Sequence, residues 1–288
     1  MALIQPVREL LEQERIECAA PLPSGLCRIR DPAKLERRGF PEGSVRSILI
    51  LLVPYHPGKA AVPPDRNLSV YAFSRDYHLF FRELFGRIIP SLSQIYPGYR
   101  FEGFSDNSPI SEQYAAACAG LGVLGDNGLI ISRRYGSYVF LAEVFSDLPP
   151  DRWGEVRTVP PQTCLHCGAC RDACPMNREQ PPCRGCLSEL TQKKKDLPEE
   201  TPALIRHYRT VWGCDLCQEA CPLNAAAEPT PIPFFQTDLI PRLTSERLNR
   251  MTEEELSERA FGWRGRKPIA RNVAILEASP DTVSGSSV

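Results

Sequence analysis

Nine of the twelve cysteines lie in one stretch of the sequence, between Cys164 and Cys221. The stretch opens with the pattern C-x2-C-x2-C-x3-C-P, which ends at Pro175. It closes with C-x2-C-x3-C-P, which runs from Cys214 to Pro222. Three closely spaced thiolates can bind three corners of a 4Fe–4S cubane, and a fourth cysteine followed by proline reaches a neighbouring cluster instead. The pattern therefore predicts a fold built around two iron–sulfur clusters.

The spacing also predicts which cysteines share a cluster, because each fourth cysteine crosses to the other site, as in bacterial two-cluster ferredoxins. The closing run has Val211 where its first ligand would fall, and the segment Cys183-Arg-Gly-Cys186 can supply the missing thiolate. The predicted ligands are Cys164, Cys167, Cys170 and Cys221 for the first cluster, and Cys214, Cys217, Cys186 and Cys174 for the second. Cys183 is then spare.

Two other uses of cysteine fit the sequence less well. Structural zinc also takes C-x2-C pairs, but it needs four ligands per site and gives no reason for the C-x3-C-P ending to occur twice. A disulfide framework is disfavoured because C-x2-C pairs are typical of metal or redox sites. Cys18 and Cys27 have no partner motif and are interpreted as incidental thiols.

The composition is that of an ordinary globular protein, and 288 residues suffice for about two domains. The net charge of −1 excludes binding of nucleic acid through the overall field, so any such contact has to rest on a local basic patch. No signal peptide is visible, and the longest apolar run, Ile48–Val53, is too short to span a membrane. Because thiolate-ligated clusters need reduced cysteines, we expect a cytoplasmic protein.

The region before the cysteines reads as alternating strands and helices. Ser47–Val53 is a continuous apolar run, which predicts a strand buried on both faces. An amphipathic helix is predicted to follow Tyr77. Ser108 and Pro109 are expected to be the N-cap and first residue of a helix over Ile110–Ala119.

Some residues here have both a structural and a functional interpretation. Taken alone, His78 is more often a packed or half-exposed histidine than a site residue. Asp106 could satisfy turn amides or act in a site, and the local sequence leaves both open. The glycines of Gly120-Leu-Gly122-Val-Leu-Gly125 are expected to end the helix and to let the backbone pass close to something flat. They are not a dinucleotide-binding motif, because no strand precedes them.

Further along, Leu129–Ser132 and Val139–Val144 are predicted strands, and Thr201–Val211 and Ser245–Phe261 are predicted helices. One basic stretch stands out in the C-terminal part, and its cations are Arg264, Arg266, Lys267 and Arg271. It is either a phosphate-contacting patch or a solvated face, and the sequence leaves both open. The last dozen residues are expected to be disordered.

Together these segments resemble the epoxyqueuosine reductase family, whose members use cobalamin and iron–sulfur clusters to finish queuosine in tRNA. The resemblance covers roughly residues 47–276. Besides the cysteines, it rests on Arg75-Asp-Tyr-His78, Asp106-Asn-Ser-Pro109, Ala119-Gly-Leu-Gly122, Gly125-Asp-Asn127, Gly136-Ser137, Phe140-Leu-Ala-Glu143, Cys186-Leu-Ser-Glu-Leu-Thr191 and Arg271-Asn-Val273.

The resemblance implies an α+β fold, in which a nitroreductase-like corrinoid-binding domain precedes a bacterial-ferredoxin-like domain with two 4Fe–4S clusters. The expected domains are residues 1–155 for corrinoid and substrate, 156–228 for the clusters, and 229–288 for a helical extension with a disordered tail. The implied cofactors are cobalamin and the two clusters. The implied partners are an external low-potential electron donor of the ferredoxin or flavodoxin type and tRNA, with no membrane.

The resemblance also implies roles for single residues. The residue matching Asp106 lies over the cobalt and protonates the oxygen released when the epoxide opens. Residues matched to the corrinoid-binding region are Tyr77, His78, Gly120, Gly122, Gly125, Asn127 and Ser137. We expect burial under the corrinoid to raise the pKa of Asp106, the nearby helix start to lower it, and Asp126 to raise it if that residue faces the same pocket.

The sequence departs from the family at several places. Asp126 stands where the family has lysine, Cys183 is extra, and the family's Gly-x-Met-x-Tyr-Met segment is absent. The helical repeats that help family members to hold tRNA do not follow Arg271, so we expect a shortened relative. Two alternatives stay open. One is a corrinoid and iron–sulfur reductase of another small substrate, and the other is an iron–sulfur electron-transfer protein without catalytic activity of its own.

Overall fold

The structure is a computed structural model that describes residues 3–176 and 186–278. Cys183 and the tail after Ala278 lie outside the described residues, so the spare thiol and the disordered tail stay predictions. No helix in the two described ranges is long and apolar enough to cross a membrane.

A four-stranded antiparallel sheet, in the order β1-β2-β6-β3, is the centre of the upstream region. Its strands are β1 (Cys18–Pro23), β2 (Ser47–Pro54), β3 (Phe101–Ser105) and β6 (Val139–Ser146). Strand β2 pairs with β1 on one side and β6 on the other, and all of its residues are buried. This confirms the strand predicted from the apolar run.

The sheet separates the apolar core into two layers, and helices cover both of its faces. Helix α1 (Gln5–Gln13) packs against α3 (Tyr77–Ile95) on one face, where Phe81 and Leu84 are buried. The short helix α4 (Glu112–Cys118) covers the other face with small residues. The long helix α3 confirms the amphipathic helix predicted after Tyr77.

The remaining elements are short. Two two-residue strands, β4 (Val123–Leu124) and β5 (Ile130–Ile131), form a separate sheet, so the strands predicted over 129–132 and 139–144 do not pair with each other. The other helices are α2 (Pro32–Arg37), α5 (Ala169–Asp172), α6 (Leu187–Thr191), α7 (Thr201–Tyr208), α8 (Leu216–Glu219), α9 (Ser245–Arg250), α10 (Glu253–Ser257) and α11 (Arg266–Glu277). Helices α5 and α8 carry residues of the two cysteine runs and contact each other, which brings the runs together.

Buried polar contacts fix the cysteine-rich segment to the sheet region. The buried carboxylate of Asp215 forms an ion pair with Arg66 at 3.2 Å. The side-chain amide of Gln218 donates to the hydroxyl groups of Tyr55 and Ser137, each at 3.1 Å. Because breaking these contacts would leave buried polar groups unpaired, the two regions are held in one arrangement.

The segment after residue 229 packs back onto the sheet region. Ile232, Phe235, Ile240 and Leu243 belong to the same apolar core as α3. The ring of Phe235 lies 5.0 Å from that of Phe80, measured between centroids. The domain boundaries at 156 and 229 stay predictions, and the apolar core continues across the second of these positions.

The predicted start of α4 is wrong. The helix begins at Glu112, because Ile110 is extended and forms a bridge with Ile29, and the Pro109 carbonyl accepts the Arg30 amide at 2.7 Å. Ser108 and Pro109 are therefore not its N-cap and first residue. The extended backbone places the residues before the helix against the segment that leads into α2.

Two other predicted helices are shorter than expected. The helix predicted over Ser245–Phe261 is two helices, α9 and α10, because Thr252 is extended and caps α10 together with Glu255. The helix predicted over Thr201–Val211 ends at Tyr208, since Arg209 adopts a left-handed conformation with φ of 50°. In both places the apolar pattern of the sequence continues, but the backbone conformation of one residue ends the helix.

Candidate active site and cluster sites

Four cysteines from the two runs line one small cavity. They are Cys164, Cys167, Cys170 and Cys221, the set predicted for the first cluster. Burial raises the pKa of Cys170, and the nearby negative charges of Asp126, Cys164 and Cys221 raise it further. Thiolates that repel one another in a confined space need positive charge, which the iron of a cubane supplies. The donor set fits a 4Fe–4S cluster.

The other four predicted ligands also lie near one another, although they come from three parts of the chain. Burial raises the pKa of Cys214 and that of Cys217 to about 12 each. The negative charge of Cys186 adds to both shifts, and that of Cys174 adds to the shift of Cys217. This second donor set fits a cubane too, with Cys174 crossing from the first run.

The turn after β4 contacts both groups of cysteines. Asn127 lines the first cavity, and its side-chain hydrogen bond lowers the pKa of Cys217 in the second group. Asp126 lies 2.8 Å from Nδ1 of His166, beside the first group. Asp126 lines this cysteine cavity and neither of the two cavities beside Asp106, so it does not face the pocket of that residue.

Asp106, which follows the end of β3, is held by two residues from the first turn of α3. The Tyr77 hydroxyl donates to Oδ2 of Asp106 at 3.0 Å. Nε2 of His78 lies 3.6 Å from the same oxygen and forms an ion pair with it. On the other side of the ring, Nδ1 of His78 is 2.8 Å from the carboxylate of Asp76, which caps α3 by accepting the His78 amide. The start of α3 therefore directs His78 toward Asp106.

The loop that carries Asp106 has a left-handed backbone, with φ of 53° at Asp106 and 42° at Asn107. This conformation is unfavourable for most residues, although Asp and Asn tolerate it better than others. The Lys34 ammonium donates to the Asn107 carbonyl at 2.5 Å and to its side-chain oxygen at 2.9 Å. Contacts from a distant part of the chain therefore hold the loop.

The pKa of Asp106 lies in the direction opposite to the one expected from burial. The neighbouring His78 lowers the pKa of Asp106 to about 2, with help from the hydrogen bonds of Tyr77 and the Asn107 amide, and burial only partly opposes this. The carboxylates of Asp106 and Asp76 raise the pKa of His78 to about 9. Near neutral pH the proton of this pair is therefore on His78.

Asp106 lies between two cavities. The larger, of about 680 Å³, is lined by the cations Lys34, Arg37, Arg38 and Arg82 together with His78. The smaller, of about 160 Å³, has a mostly apolar wall, and it also contains Glu112 and Gln113. The apolar and aromatic residues of the smaller cavity are Tyr77, Phe81, Leu129, Ile130, Val139, Phe140 and Leu141.

The structure places the residues matched to the corrinoid-binding region at different sites. Tyr77, His78 and Ser137 line the two cavities beside Asp106. Gly125 and Asn127 line the first cysteine cavity instead. Gly120 ends α4 with φ of 71°, as predicted. Gly122 lies so close to the carbonyl of Ile131 that a side chain would collide with β5, so the flat neighbour of this backbone is another strand.

Sequence reasoning missed two acidic residues and the cations of the larger cavity. Glu112 lines the smaller cavity, and Glu143 is completely buried in β6. Glu143 carries a signal in the sequence, since it is the one charged residue in the apolar run from 139 to 146. No comparable signal marks Lys34 or Arg82, because segments far apart in sequence bring them together.

Comparison with known proteins supports the same picture. Residues 163–224 match a family model described as "4Fe-4S double cluster binding domain". The chain is 34% identical over 265 residues to epoxyqueuosine reductase of Pseudomonas aeruginosa, covering 84% of this chain and 70% of that protein. It is 34% identical over 189 residues to the enzyme of Leadbetterella byssophila, covering 63% and 59%. The chain thus spans less than two thirds of one such relative and little more of the other.

Solved structures agree with the sequence relatives. A selenomethionine-labelled epoxyqueuosine reductase superimposes with a TM-score of 0.74 at 25% identity, covering 94% of this chain and 81% of that one. A second structure, of epoxyqueuosine reductase with an epoxyqueuosine-modified tRNA-Tyr stem loop, gives a TM-score of 0.75 at 25% identity, covering 94% and 80%.

The fold and the two cysteine groups define a double-cluster iron–sulfur protein, in which an α+β domain with an acid–base site adjoins the clusters. More narrowly, the chain belongs to the epoxyqueuosine reductase family. This confirms both the family and the fold class predicted from the sequence.

Proposed function

We propose that this chain reduces epoxyqueuosine in tRNA to queuosine by two-electron opening of the epoxide. The observation that carries the proposal is the proton-holding group of Tyr77, His78 and Asp106, which faces both cavities. Its connection to the clusters runs through Ser137, which lines the smaller cavity and accepts from Gln218, the residue after Cys217. An electron carrier has no use for such a group.

The chemistry sets what the site has to provide. Conversion of an epoxide to the corresponding alkene breaks two C–O bonds, takes up two electrons and two protons, and releases water. The electrons would come from an external low-potential donor of the ferredoxin or flavodoxin type and pass through the clusters. The proposed ligands of those clusters are the two groups of four cysteines. The protons have to come from side chains beside the substrate or from solvent.

The residues around Asp106 fit the cobalamin that the family uses. A flat macrocycle can stack on the apolar wall of the smaller cavity, where Tyr77 and Phe140 are parallel with ring centroids 4.4 Å apart. Tyr77, Phe140, Val139 and Ser137 would hold it. When bound, cobalamin supplies a cobalt centre that can exchange single electrons with the clusters and reduce the substrate.

The protein itself would supply the first proton through Asp106 and His78. Near neutral pH the transferable proton is on Nε2 of His78, 3.6 Å from Oδ2 of Asp106, and the Tyr77 hydroxyl holds that same oxygen in place. An oxygen released from an opening epoxide is a strong base, and it leaves slowly unless an acid beside it delivers a proton. Asp106 can pass the proton of His78 to that oxygen.

The larger cavity is the proposed entrance for RNA. Four cations line it next to Asp106, and Arg82 forms no ion pair in the described part of the chain. The basic stretch near the C-terminus is a weaker candidate, because none of its cations lines either cavity that Asp106 shares. Two of them are also bound within the fold. Arg266 donates to the carbonyls of Leu248 and Met251, and Arg271 donates to that of Lys195.

The test is anaerobic reconstitution of the purified chain with iron, sulfide and cobalamin, followed by turnover with a low-potential chemical reductant. The substrate is tRNA that carries epoxyqueuosine, and the product is measured by mass spectrometry of the released nucleosides. We expect stoichiometric corrinoid binding and conversion to queuosine. Binding of corrinoid without conversion would contradict the tRNA substrate and favour a reductase of another small molecule. Failure to bind corrinoid would favour the electron carrier.

A further inference from the structure

Two carboxyl groups that the proposed reaction does not use lie at the smaller cavity and behind it, Glu112 in its wall and Glu143 in the core. Glu143 is 0% exposed, in the middle of β6 between Ile50 of β2 and Phe104 of β3. Neither of its carboxyl oxygens has a hydrogen-bond partner in the described part of the chain. The Ser108 hydroxyl is near enough to lower the pKa of Glu143, although it makes no hydrogen bond of good geometry.

A buried carboxyl group without a partner is stable only in its protonated form. Burial raises the pKa of Glu143 well above its usual value, and the charge of Glu112 raises it further. The core layer on this side of the sheet also holds the titratable groups of Cys18, Cys27, Tyr114 and Cys118, and none of them supplies a positive charge. The Arg38 guanidinium lies over the ring of Phe104, the β3 neighbour of Glu143. Burial and the charge of Glu112 both favour the protonated form of Glu143.

Unlike Glu143, Glu112 lines the smaller cavity, which Asp106 also lines. One of its carboxyl oxygens is buried without a partner, and the residue lines the cavity wall. Burial, and then the charge of Asp106, raise the pKa of Glu112 to about 7, whereas Arg30 and Lys34 lower it.

The proposed reaction needs one more proton than Asp106 and His78 hold. Two protons are needed for each epoxide, and the Asp106–His78 pair holds one that can be transferred near neutral pH. We propose that Glu112 donates the second proton, to the hydroxyl group that leaves as water. Its carboxyl group gives up that proton, becomes a carboxylate, and regains a proton from solvent through the cavity. This assignment rests on the proposed reduction and concerns the same site.

The first test compares Glu112→Gln with Glu112→Asp in the reconstituted enzyme. The parent kcat should fall on the alkaline side in two steps, near the pKa values of Glu112 and of His78. Glu112→Gln should lower kcat by about 100-fold, change KM little, and abolish the lower step. Glu112→Asp should keep that step. Glu246→Gln, on the exposed face of α9, is the surface control. A Gln variant with the parent rate and both steps would overturn the proposal.

The second test separates this inference from the proposed function, because it needs no substrate. Infrared spectra of the cluster-loaded protein should show two protonated carboxyl bands that belong to Glu112 and Glu143. The band lost in Glu112→Gln should titrate near neutral pH, and the band lost in Glu143→Gln should persist to alkaline pH. Asp106→Asn should lower the titration midpoint of Glu112, because a nearby negative charge is removed. If Glu143 proves to be the titrating member, the assignment to Glu112 is wrong even where the enzyme is active.

Discussion

The pair of Asp106 and His78 shows how the immediate neighbours of a residue decide its protonation. An aspartate in a pocket would be expected to bind its proton more tightly, yet the pKa of Asp106 is lowered to about 2. The pKa of the neighbouring His78 is raised instead, because Asp106 and Asp76 both stabilise its charged form. In the proposed reaction, the acid of the site would be this pair of residues, with the proton held on His78 and delivered through Asp106.

Asp106→Asn tests this pair directly. Asparagine keeps the shape of the side chain but removes both the charge and the transferable proton, so turnover should fall by about 100-fold or more. Iron content and cobalamin binding should stay near those of the parent. The pKa of His78, followed by NMR, should fall because one of its two carboxylates is gone. Asp65→Asn, at an exposed ion pair with Arg242, is the control. Turnover at the parent rate would reduce Asp106 to a turn residue.

The same pair makes stability depend on pH on both sides of neutrality: the contribution of Asp106 is lost as pH falls, and that of His78 is lost as pH rises. The folded-state pKa of His78 is about 9 and its unfolded-state value is about 6.5. Its contribution is therefore fully present below the unfolded value and is lost as pH rises through the folded value. Relative to His78→Gln, the parent should lose stability between these limits, as measured by urea unfolding under anaerobic conditions. A difference that stays constant with pH would contradict the shift.

At the scale of elements, helices α5 and α8 arrange the cysteines. Each is a single short turn beside a cysteine run, and their contact brings Cys174 toward the group that contains Cys217. A proline follows the last cysteine of each run, Pro175 after Cys174 and Pro222 after Cys221. The contact between α5 and α8 thus joins the two cysteine runs.

The crossing can be tested by removing one ligand. Cys174→Ala should damage the cluster on Cys214 and Cys217 and spare the one on its own run, whereas Cys170→Ala should do the reverse. Iron analysis should fall from about eight to about four per chain in each variant, and electron paramagnetic resonance should show which signal is lost. Cys183→Ala is the control and should keep both clusters. Loss of the first cluster in Cys174→Ala would contradict the crossing.

The contrast between cysteines and acids explains what sequence could predict. Three ligands of the first group, Cys164, Cys167 and Cys170, could be predicted together because one short run carries them. The other members were predicted from the pattern of two-cluster ferredoxins. Tyr77 and His78, the partners of Asp106, lie about thirty positions before it, on α3. The resemblance to the family pointed to these residues. It did not show that they lower the pKa of Asp106, because that depends on how closely the fold brings them together. Glu112 meets Glu143 only through the packing of α4 on β6. Arg266 looked like a free cation until the fold placed two backbone carbonyls on it.

At the scale of the whole molecule, a net charge of −1 hides an uneven distribution. Cations gather in the larger cavity, next to the group that handles protons, while the cysteine sites gather negative charge. In the proposed reaction, an RNA backbone would be attracted to the side of the molecule on which the epoxide is reduced.

The RNA entrance is tested by comparing two sets of neutralised cations. Replacing Lys34, Arg37 and Arg82 by Gln should weaken tRNA binding and reduce the slope of log K against log salt by about two to three. Replacing Arg264 and Lys267, the more exposed cations of the C-terminal stretch, should change both less. Binding isotherms at several salt concentrations give the measurement. The reverse order of effects would place the RNA on the C-terminal stretch.

The hydrogen bonds that converge on Ser137 have a consequence for the speed of electron movement. Its hydroxyl accepts from Gln218 and from Asn224, its amide donates to Asn224, and all three residues are buried. Gln218 and Asn224 each follow a cysteine closely, and Ser137 also forms part of the cavity wall. We call the hydrogen-bonded group of Ser137, Gln218 and Asn224 the bridge. Its dipoles are held by hydrogen bonds, so they do not reorient when an electron changes the charge on either side of it. If electrons pass between cluster and cavity as proposed, the energy needed to rearrange the surroundings at each transfer is kept low, and the bridge would favour fast single-electron transfer.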